Sequence, residues 1–347
     1  MIFIAGMIFS NHALAQDIHF SQFYEHGMIR NPALTGVFSG DMKISANYRN
    51  QWSNISVPFQ TFLVSGEMKK IVNKDQFDYV SFGLTATYDK SGSIDFTSLQ
   101  ILPAINYNKS LQDKLNSYLS VGFMAGYVQR SVDPTKMTFA SQYANGGFDP
   151  NNPSGEDITN VSMSHWDLSA GISFNSSFSE ERTSSYYLGL AAFHVLQPNE
   201  SFNNKEALIN LSTRWTAQAG FRFKLGNTTG LITHLNFNYQ KPYTETVVGG
   251  LLSYTNYGKI NGSLFSIYAG LFYRWNDAII PTIKLDYDNV SFNLSYDATT
   301  SWLRVANNGQ SGLELTVSMR NFFKDKSGAR NLRCPMFELL PPSLEAF

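Results

Sequence analysis

The chain has 347 residues, of which 15% are charged and 14% aromatic, and its formal net charge is −1. This near-neutral balance gives no global field that would attract nucleic acid or anionic lipid. The single cysteine, Cys334, excludes an internal disulfide and a cluster of thiolate metal ligands. The charged fraction lies well below the roughly 25% of soluble globular domains. The aromatic excess is typical of the girdles at membrane interfaces.

Residues 1–15 predict an export signal. The stretch is apolar and ends in Ala13-Leu14-Ala15, the small-x-small pattern that signal peptidase accepts. Cleavage there would leave Gln16 as the first mature residue. No lysine or arginine precedes the apolar stretch. The alternative interpretation is therefore a buried N-terminal strand or helix.

Residues 16–40 form a segment of their own, which is periplasmic or luminal. Its Phe20, Phe23, Tyr24 and Leu34 make it too apolar for a free periplasmic tail. We expect it to pack into or under the barrel that the following residues predict.

Residues 41–322 predict an outer-membrane β-barrel. Segments of about ten residues, the length that a membrane strand needs, alternate with turn residues. Their number, about fourteen, is even, as bacterial single-chain barrels require. The predicted strands are 41–50, 60–69, 78–89, 95–108, 116–130, 161–175, 184–196, 211–224, 229–240, 243–254, 263–275, 278–288, 290–298 and 312–322.

Strict alternation supports this interpretation most clearly near the C-terminus. Ile283, Leu285 and Tyr287 alternate with Thr282, Lys284 and Asp286. Period-two alternation places apolar side chains on one face of a strand and polar ones on the other. A soluble sandwich can also bury one apolar face, but its strands typically have about five or six residues. The fold class is therefore all-β, a transmembrane barrel of about 14 antiparallel strands.

Loop lengths predict the orientation. The longest connections, 131–160, 198–210 and 299–311, follow the fifth, seventh and thirteenth strands. If they face outside, as the longer loops of such barrels do, both termini are periplasmic. The short connections at 240–243 and 276–277 do not fit this trend. The tail 323–347 would then be periplasmic as well.

Inward-facing charges of both signs indicate a lumen that is either filled by protein or lined with water. Mixed charges can pair across a lumen, or they can line water as in a porin. Open porins use about 16–18 strands, so a smaller barrel favours a closed bore. The inward-facing candidates are Arg49, Glu67, Arg130, Asp167, Arg214, Arg222, Lys224, Lys284, Asp286, Glu314 and Arg320.

Sequence motifs for catalysis and cofactors are absent. There is no glycine-rich phosphate loop, no His-Glu-x-x-His motif and no cysteine pair. His19 and Ser21 suggest a barrel lipase, but no orienting acid or amide accompanies them. We therefore predict no enzyme, no cofactor and no metal site.

Several segments together resemble the PorP/SprF family of type IX secretion outer-membrane proteins. They span the mature chain in order: 16–24 (QDIHFSQFY), 31–36 (NPALTG), 47–52 (NYRNQW) with 58–61 (PFQT), 189–194 (GLAAFH) with 197–202 (QPNESF), 273–281 (YRWNDAIIP), 292–297 (FNLSYD) and 312–315 (GLEL). The segment 304–309 (RVANNG) departs from the expected pattern.

The resemblance implies a role in type IX secretion and gliding motility at the cell outer membrane. It implies two kinds of partner, the periplasmic ring components of the machinery and a large secreted adhesin with a C-terminal sorting domain. Outer-membrane lipid is a further partner, and nucleic acid is not. The competing class is an outer-membrane diffusion or uptake channel, porin-like or FadL-like.

Aromatic and apolar residues outside the barrel wall are the candidates for partner binding. Tyr143, Phe148 and Phe202 lie in the long loops 131–160 and 198–210, where they would bind a partner or pack their own loops. Phe337 and Leu340 lie in the proline-containing tail. That tail would bind a periplasmic partner as an extended peptide or fold back on the barrel rim.

Overall fold

The computed structural model describes residues 17–53, 57–73, 75–144, 146–155, 161–181, 183–202, 210–260, 263–301, 304–307 and 309–321. The predicted export signal, 1–15, and the predicted tail, 323–347, lie outside the described residues. Within the described ranges, no helix is long and apolar enough to cross a membrane.

Fourteen antiparallel strands form a closed barrel, in which each strand pairs with its neighbours in sequence and the last pairs with the first. The predicted fold class and strand count are therefore confirmed. The strands are β1 (Met42–Gln51), β2 (Phe59–Asn73), β3 (Asp78–Ser91), β4 (Phe96–Ser110), β5 (Tyr118–Ser131), β6 (Ser162–Ser177), β7 (Ser185–Phe193), β8 (Arg214–Lys224), β9 (Thr229–Gln240), β10 (Tyr243–Ile260), β11 (Ser263–Arg274), β12 (Ala278–Tyr287), β13 (Val290–Thr299) and β14 (Gln310–Asn321).

Two strand ends differ from the prediction for identifiable reasons. β7 ends three residues before the predicted Leu196, because His194 adopts a positive φ of 56° that turns the chain out of the ladder. β10 runs to Ile260, beyond the predicted Tyr254, since Asn256 still pairs with Phe265 of β11 before the register shifts. Strand ends depend on pairing as well as on local composition.

Alternation along each strand separates a lipid face from a luminal face. In β12, Ile279, Ile283 and Leu285 are exposed on the outside, whereas Thr282, Lys284 and Asp286 point inward and are buried. Such an outward apolar surface and polar interior are what a barrel in lipid requires. The barrel is therefore an outer-membrane barrel rather than a sandwich.

The two ends of the barrel differ. We call the end that carries the connections after odd-numbered strands the loop end, and the other the turn end. The loop end includes the long connection 132–161, which contains 3-10 turns at Pro134–Lys136 and Ala140–Gln142 and a small ladder between Tyr143–Ala144 and Gly147–Phe148. Exposed Trp166, Trp215 and Trp275 lie near this end, as members of an interfacial aromatic girdle would.

The remaining helical turns are short. Residues 17–40, which we call the plug, contain 3-10 turns at Phe23–Glu25 and Pro32–Leu34 and the one-turn helix α1 at Gly27–Arg30. A second one-turn helix, α2 (Arg304–Asn307), lies between β13 and β14. Most of the plug is buried.

Candidate functional site in the barrel lumen

The plug crosses the lumen from the loop end to the turn end. Asp17 contacts His194, which follows β7 at the loop end. Further along, Gly36 donates its N–H to Glu67 in the turn-end half of β2, at 2.8 Å. Phe38 then accepts a hydrogen bond from Lys69 of the same strand through its carbonyl. The chain enters β1 at the turn end.

The path of the plug sets where the two ends of the described chain lie, whereas the termini themselves lie outside the described residues. The described chain begins with Asp17 at the loop end. It stops at Asn321, whose partner in the ladder is Met42 at the turn end. The two ends of the described chain therefore lie at opposite ends of the barrel, because the plug runs the length of the lumen before β1 starts.

Ser21 and Gln22 bind carboxylates of the two last strands. Their backbone N–H groups both donate to Glu314 of β14, at 2.7 and 3.1 Å. The Ser21 hydroxyl donates to Asp297 of β13 at 2.6 Å. The Gln22 amide adds donor bonds to Ser295 Oγ and to the Glu314 carbonyl. Two residues of the plug thus satisfy two buried acids.

Two arginines neutralise the same acids. Arg49 of β1 lies 3.0 Å from Asp297 and 3.8 Å from Glu314. Arg274 of β11 lies 3.2 Å from Asp297 and donates to the Ser21 hydroxyl at 2.7 Å. Arg49, Asp297 and Glu314 are each 1% exposed, so removing one partner would leave an uncompensated buried charge. We call Ser21, Gln22, Arg49, Arg274, Asp297 and Glu314 the seam clamp, because the clamp joins β13 and β14 to β1 across the closing seam.

Glu25 makes a second bridge, nearer the turn end. Its carboxylate lies 2.6 Å from the ammonium of Lys284 in β12 and 3.7 Å from that of Lys43 in β1. Lys43 also donates to the Glu25 carbonyl at 3.0 Å. The plug acid therefore joins two strands that are not neighbours in the sheet.

On the opposite wall of the lumen, the plug packs closely against the backbone of β5 and β6. The Asn31 amide donates to the carbonyls of Ile172 and Leu190, at 3.0 and 3.3 Å, while its oxygen accepts from Ala33 N–H. A Cβ on Gly171 of β6 would lie 2.0 Å from the Asn31 oxygen, and one on Gly122 of β5 would lie 2.3 Å from the Pro32 carbonyl carbon. Only glycine allows such close approach. We call Gly122 and Gly171 the glycine cradle.

A latch at the loop end holds the start of the plug. The Asp17 carboxylate lies 2.6 Å from His194 and 3.1 Å from Arg214, and the other His194 nitrogen lies 2.9 Å from Asp167. Burial alone would lower the pKa of His194, but the neighbouring carboxylates raise it to about 9. Burial would raise the pKa of the Asp17 carboxyl, but His194 and Arg214 hold it well below its usual range. We call these four residues the rim latch.

The lumen holds most of the charges predicted to face inward. All of those candidates are buried except two: Arg214 is half-buried in the rim latch, and Lys224 is exposed where β8 ends. Sequence reasoning missed the individual plug residues that meet them, Ser21, Gln22 and Asn31. These three residues lie in the segments 16–24 and 31–36, which carry the family resemblance. Their polar side chains match no catalytic or binding motif, so the sequence did not reveal their contacts.

The structure places the predicted partner-binding residues in separate positions. Tyr143 and Phe148 pair across the loop ladder, with ring centroids 5.5 Å apart, and both are exposed. Phe202 packs against Phe96, with centroids 6.4 Å apart. Phe337 and Leu340 lie outside the described residues.

The residues considered for catalysis belong to structural contacts. Ser21 is engaged in the seam clamp, and the His19 carbonyl accepts a hydrogen bond from Arg49. In the part of the chain that the structure describes, no group of three or more His, Cys, Asp or Glu could hold a metal ion.

Comparisons with known proteins agree with this architecture. A family model described as type IX secretion system membrane protein PorP/SprF matches residues 13–319. A search of curated proteins found no match. Among solved structures, the chain is similar to a Pseudomonas aeruginosa FadL homologue, with 10% identity, a TM-score of 0.50, and coverage of 83% of this chain and 91% of that chain.

Another similar structure is the P. putida toluene transporter TodX, with 10% identity, a TM-score of 0.46, and coverage of 85% of this chain and 93% of that chain. At such identities the likeness to the FadL homologue shows the barrel fold alone. The family match is of a different kind, because it covers most of the sequence. The chain belongs to the PorP/SprF family of type IX secretion system membrane proteins and is an outer-membrane component of that system.

Proposed function

We propose that this protein is a non-enzymatic anchor of the type IX secretion and gliding machinery, which assists the surface delivery of a large secreted adhesin. The observation that carries the proposal is the plug, which is held at the seam clamp, the glycine cradle and the rim latch. A barrel whose bore is filled by its own chain is a poor conduit and a rigid attachment point.

Energetics support an immobile plug. Its acids Asp17 and Glu25 pair with cations of the wall in the buried interior, and Ser21 and Gln22 donate hydrogen bonds to the wall acids Asp297 and Glu314. Breaking one buried pair typically costs about 3–5 kcal/mol. Withdrawal of the plug would break several pairs at once, so the closed barrel is the stable state.

We further propose that the loop end faces the outside and the turn end faces the periplasm. The long connection after β5 lies at the loop end, and longer loops are extracellular in such barrels. In this orientation the segment 323–347 follows β14 on the periplasmic side. There Phe337 and Leu340 would meet the ring components of the machinery.

At the loop end, the exposed pair of Tyr143 and Phe148 is the proposed contact for the adhesin, with Phe202 as a second contact. Aromatic side chains are frequent anchors of protein interfaces. Val305 in α2 provides a control, since it is 85% exposed at the same end and lies in a different loop.

Affinity purification of the full chain from native outer membranes tests the proposal. We expect one large surface protein to co-purify, and we expect Tyr143→Ala with Phe148→Ala to reduce its recovery several-fold while Val305→Ala leaves it unchanged. Recovery of ring components alone would restrict the role to assembly of the machinery. Equal recovery with the aromatic variants would remove the proposed loop contact.

A second candidate function, a diffusion channel, rests on two cavities that remain beside the plug. The larger, of about 70 Å³, lies toward the turn end, and the smaller, of about 30 Å³, lies toward the loop end. Purified protein in planar bilayers separates the two functions. The anchor function predicts no ion conductance, whereas steady ion conductance by the intact chain would favour the channel.

A further inference from the structure

Arg30, at the end of α1 in the plug, differs from most of the other buried cations of the lumen. Its side chain is buried, at 8% exposure. Among the described residues, no carboxylate oxygen lies within ion-pair distance of its guanidinium. The cations that do have such a partner are Lys43, Arg49, Arg130, Arg214, Arg274, Lys284 and Arg320.

The contacts of Arg30 leave part of its hydrogen-bonding capacity unused. One terminal nitrogen donates to the Tyr187 hydroxyl at 2.7 Å, and the guanidinium lies over the rings of Phe23 and Tyr187 at 5.4 and 5.6 Å. The buried Nε has no acceptor. Aromatic faces stabilise a cation partially, but they do not provide the oxygen acceptors that a buried guanidinium ordinarily finds.

Open space adjoins this unpaired cation on both sides. Arg30 lines the cavity of about 70 Å³ and also the smaller one of about 30 Å³, and it is the one described residue that lines both. The inward side chains of β9 continue from one cavity to the other, with Asn238 and Asn236 in the smaller, and His234 and Ile232 in the larger. Arg30 therefore forms the partition between two cavities along one wall.

The charge of the larger cavity favours an anion. Its lining contains the cations Arg30, Lys43 and Lys284 and the acids Glu25 and Glu67. Glu25 is held between the two lysines, and Glu67 accepts the Gly36 N–H. With three cations and two acids, the lining has one positive charge in excess, and neither acid lies within ion-pair distance of Arg30.

We propose that Arg30 is the centre of a binding site for a small oxyanion, carboxylate or phosphate-like, in the barrel lumen. The planar guanidinium presents paired N–H donors that match two oxygens of such an anion. A bound anion supplies the acceptors that Arg30 lacks and attaches α1 of the plug more firmly to the wall. The cavity has room for a small anion, since a single water needs only about 10–15 Å³ of such volume.

Crystals of the full chain in detergent, grown without sulfate or phosphate and soaked in sodium selenate, test this site. We expect an anomalous selenium peak beside the Arg30 guanidinium in the wild type, and a weaker peak at the same place in Arg30→Lys, which keeps the charge but loses the paired donors. Arg30→Gln should lose the peak while its density shows the folded barrel. A wild-type crystal without the peak, or an Arg30→Gln crystal with it, overturns the proposal.

A solution measurement checks the same site without crystals. Inorganic phosphate should raise the Tm of the wild-type chain by several degrees, because a ligand that binds only the folded state stabilises it by mass action. Arg30→Gln should abolish that increase. Arg304→Gln, in the exposed helix α2, should retain it. An equal increase in all three proteins would contradict a site at Arg30.

Discussion

The two walls of the lumen hold the same plug by different physics. At the seam clamp, Ser21 and Gln22 meet the strands through charges: two acids and two arginines, all buried. At the glycine cradle, Pro32 meets the wall through close backbone approach. The clamp depends on the balance between two carboxylates and two guanidinium groups, whereas the cradle depends on the absence of a Cβ atom at Gly122 and at Gly171.

Together, the two walls show how a barrel can be closed by its own chain. Charge pairs are directional, so the clamp fixes the register of the plug against β1, β13 and β14. Steric fit is less directional, and the cradle brings the plug backbone and the Asn31 side chain against β5 and β6 at close distance. Both cavities adjoin β9, a strand that belongs neither to the clamp nor to the cradle.

The largest effect is expected from the clamp. Arg49→Met removes the cation between Asp297 and Glu314 and leaves Arg274 as the remaining arginine of the clamp. Loss of one partner of a buried pair should lower the free energy of unfolding by about 3–5 kcal/mol. Urea titration of the protein in lipid vesicles measures it.

The control for that experiment is an exposed ion pair. Lys114 and Glu180 lie 3.3 Å apart, with side chains 79% and 65% exposed. Lys114→Met should cost less than about 1 kcal/mol. If Arg49→Met costs no more than this control, the clamp does not contribute to stability through charge.

A somewhat smaller effect is expected from pH at the rim latch. The folded-state pKa of His194 is about 9, against 6.5 for an ordinary histidine. Its contribution is therefore complete below pH 6.5 and is lost as the pH rises through about 9. The shift corresponds to a loss on the order of 3 kcal/mol. The lowered pKa of Asp17 acts in the opposite direction, with stability lost only in acid.

Urea titrations between pH 6 and 10 measure this dependence. His194→Gln should be less stable than the wild type at pH 6 and should show a flatter profile between pH 6.5 and 9. A variant whose profile keeps the wild-type slope would show that the slope has another origin.

Sequence reasoning reached the barrel because alternation is local. Each strand such as β12 carries its own inside and outside, so fourteen strands can be counted without knowledge of their neighbours. The apolar residues of 16–40 predicted packing into or under the barrel, and the structure describes residues 17–40 inside the lumen. The partner of each buried charge could not be predicted, because Ser21 and Glu314 lie 293 positions apart. The cradle was missed as well, since Gly122 in a strand does not reveal which backbone approaches it.

A test of the cradle has a matched pair of glycines. A Cβ at Gly122 would meet the Pro32 backbone at 2.3 Å, whereas one at Gly66 of β2 would meet nothing within 4 Å. Gly122→Ala should therefore cost about 1–3 kcal/mol by overpacking, and Gly66→Ala should change stability by less than about 0.5 kcal/mol. If urea titrations show equal changes in stability for the two variants, the barrel wall or the turn at Pro32 shifts to accommodate the added methyl group at little cost.

The smallest expected effect is the energetic coupling between the clamp on one wall and the cradle on the other. The clamp and the cradle share no partner residue, and effects at such independent sites add within about 0.5 kcal/mol. The double variant Arg49→Met with Gly122→Ala should then lose the sum of the two single losses. If it loses clearly less, the first substitution has already released the plug as one body, and the distinction between charge and shape would no longer describe two separate attachments. If the loss of stability exceeds the sum, the clamp and the cradle each help to hold the plug in the position that the other requires.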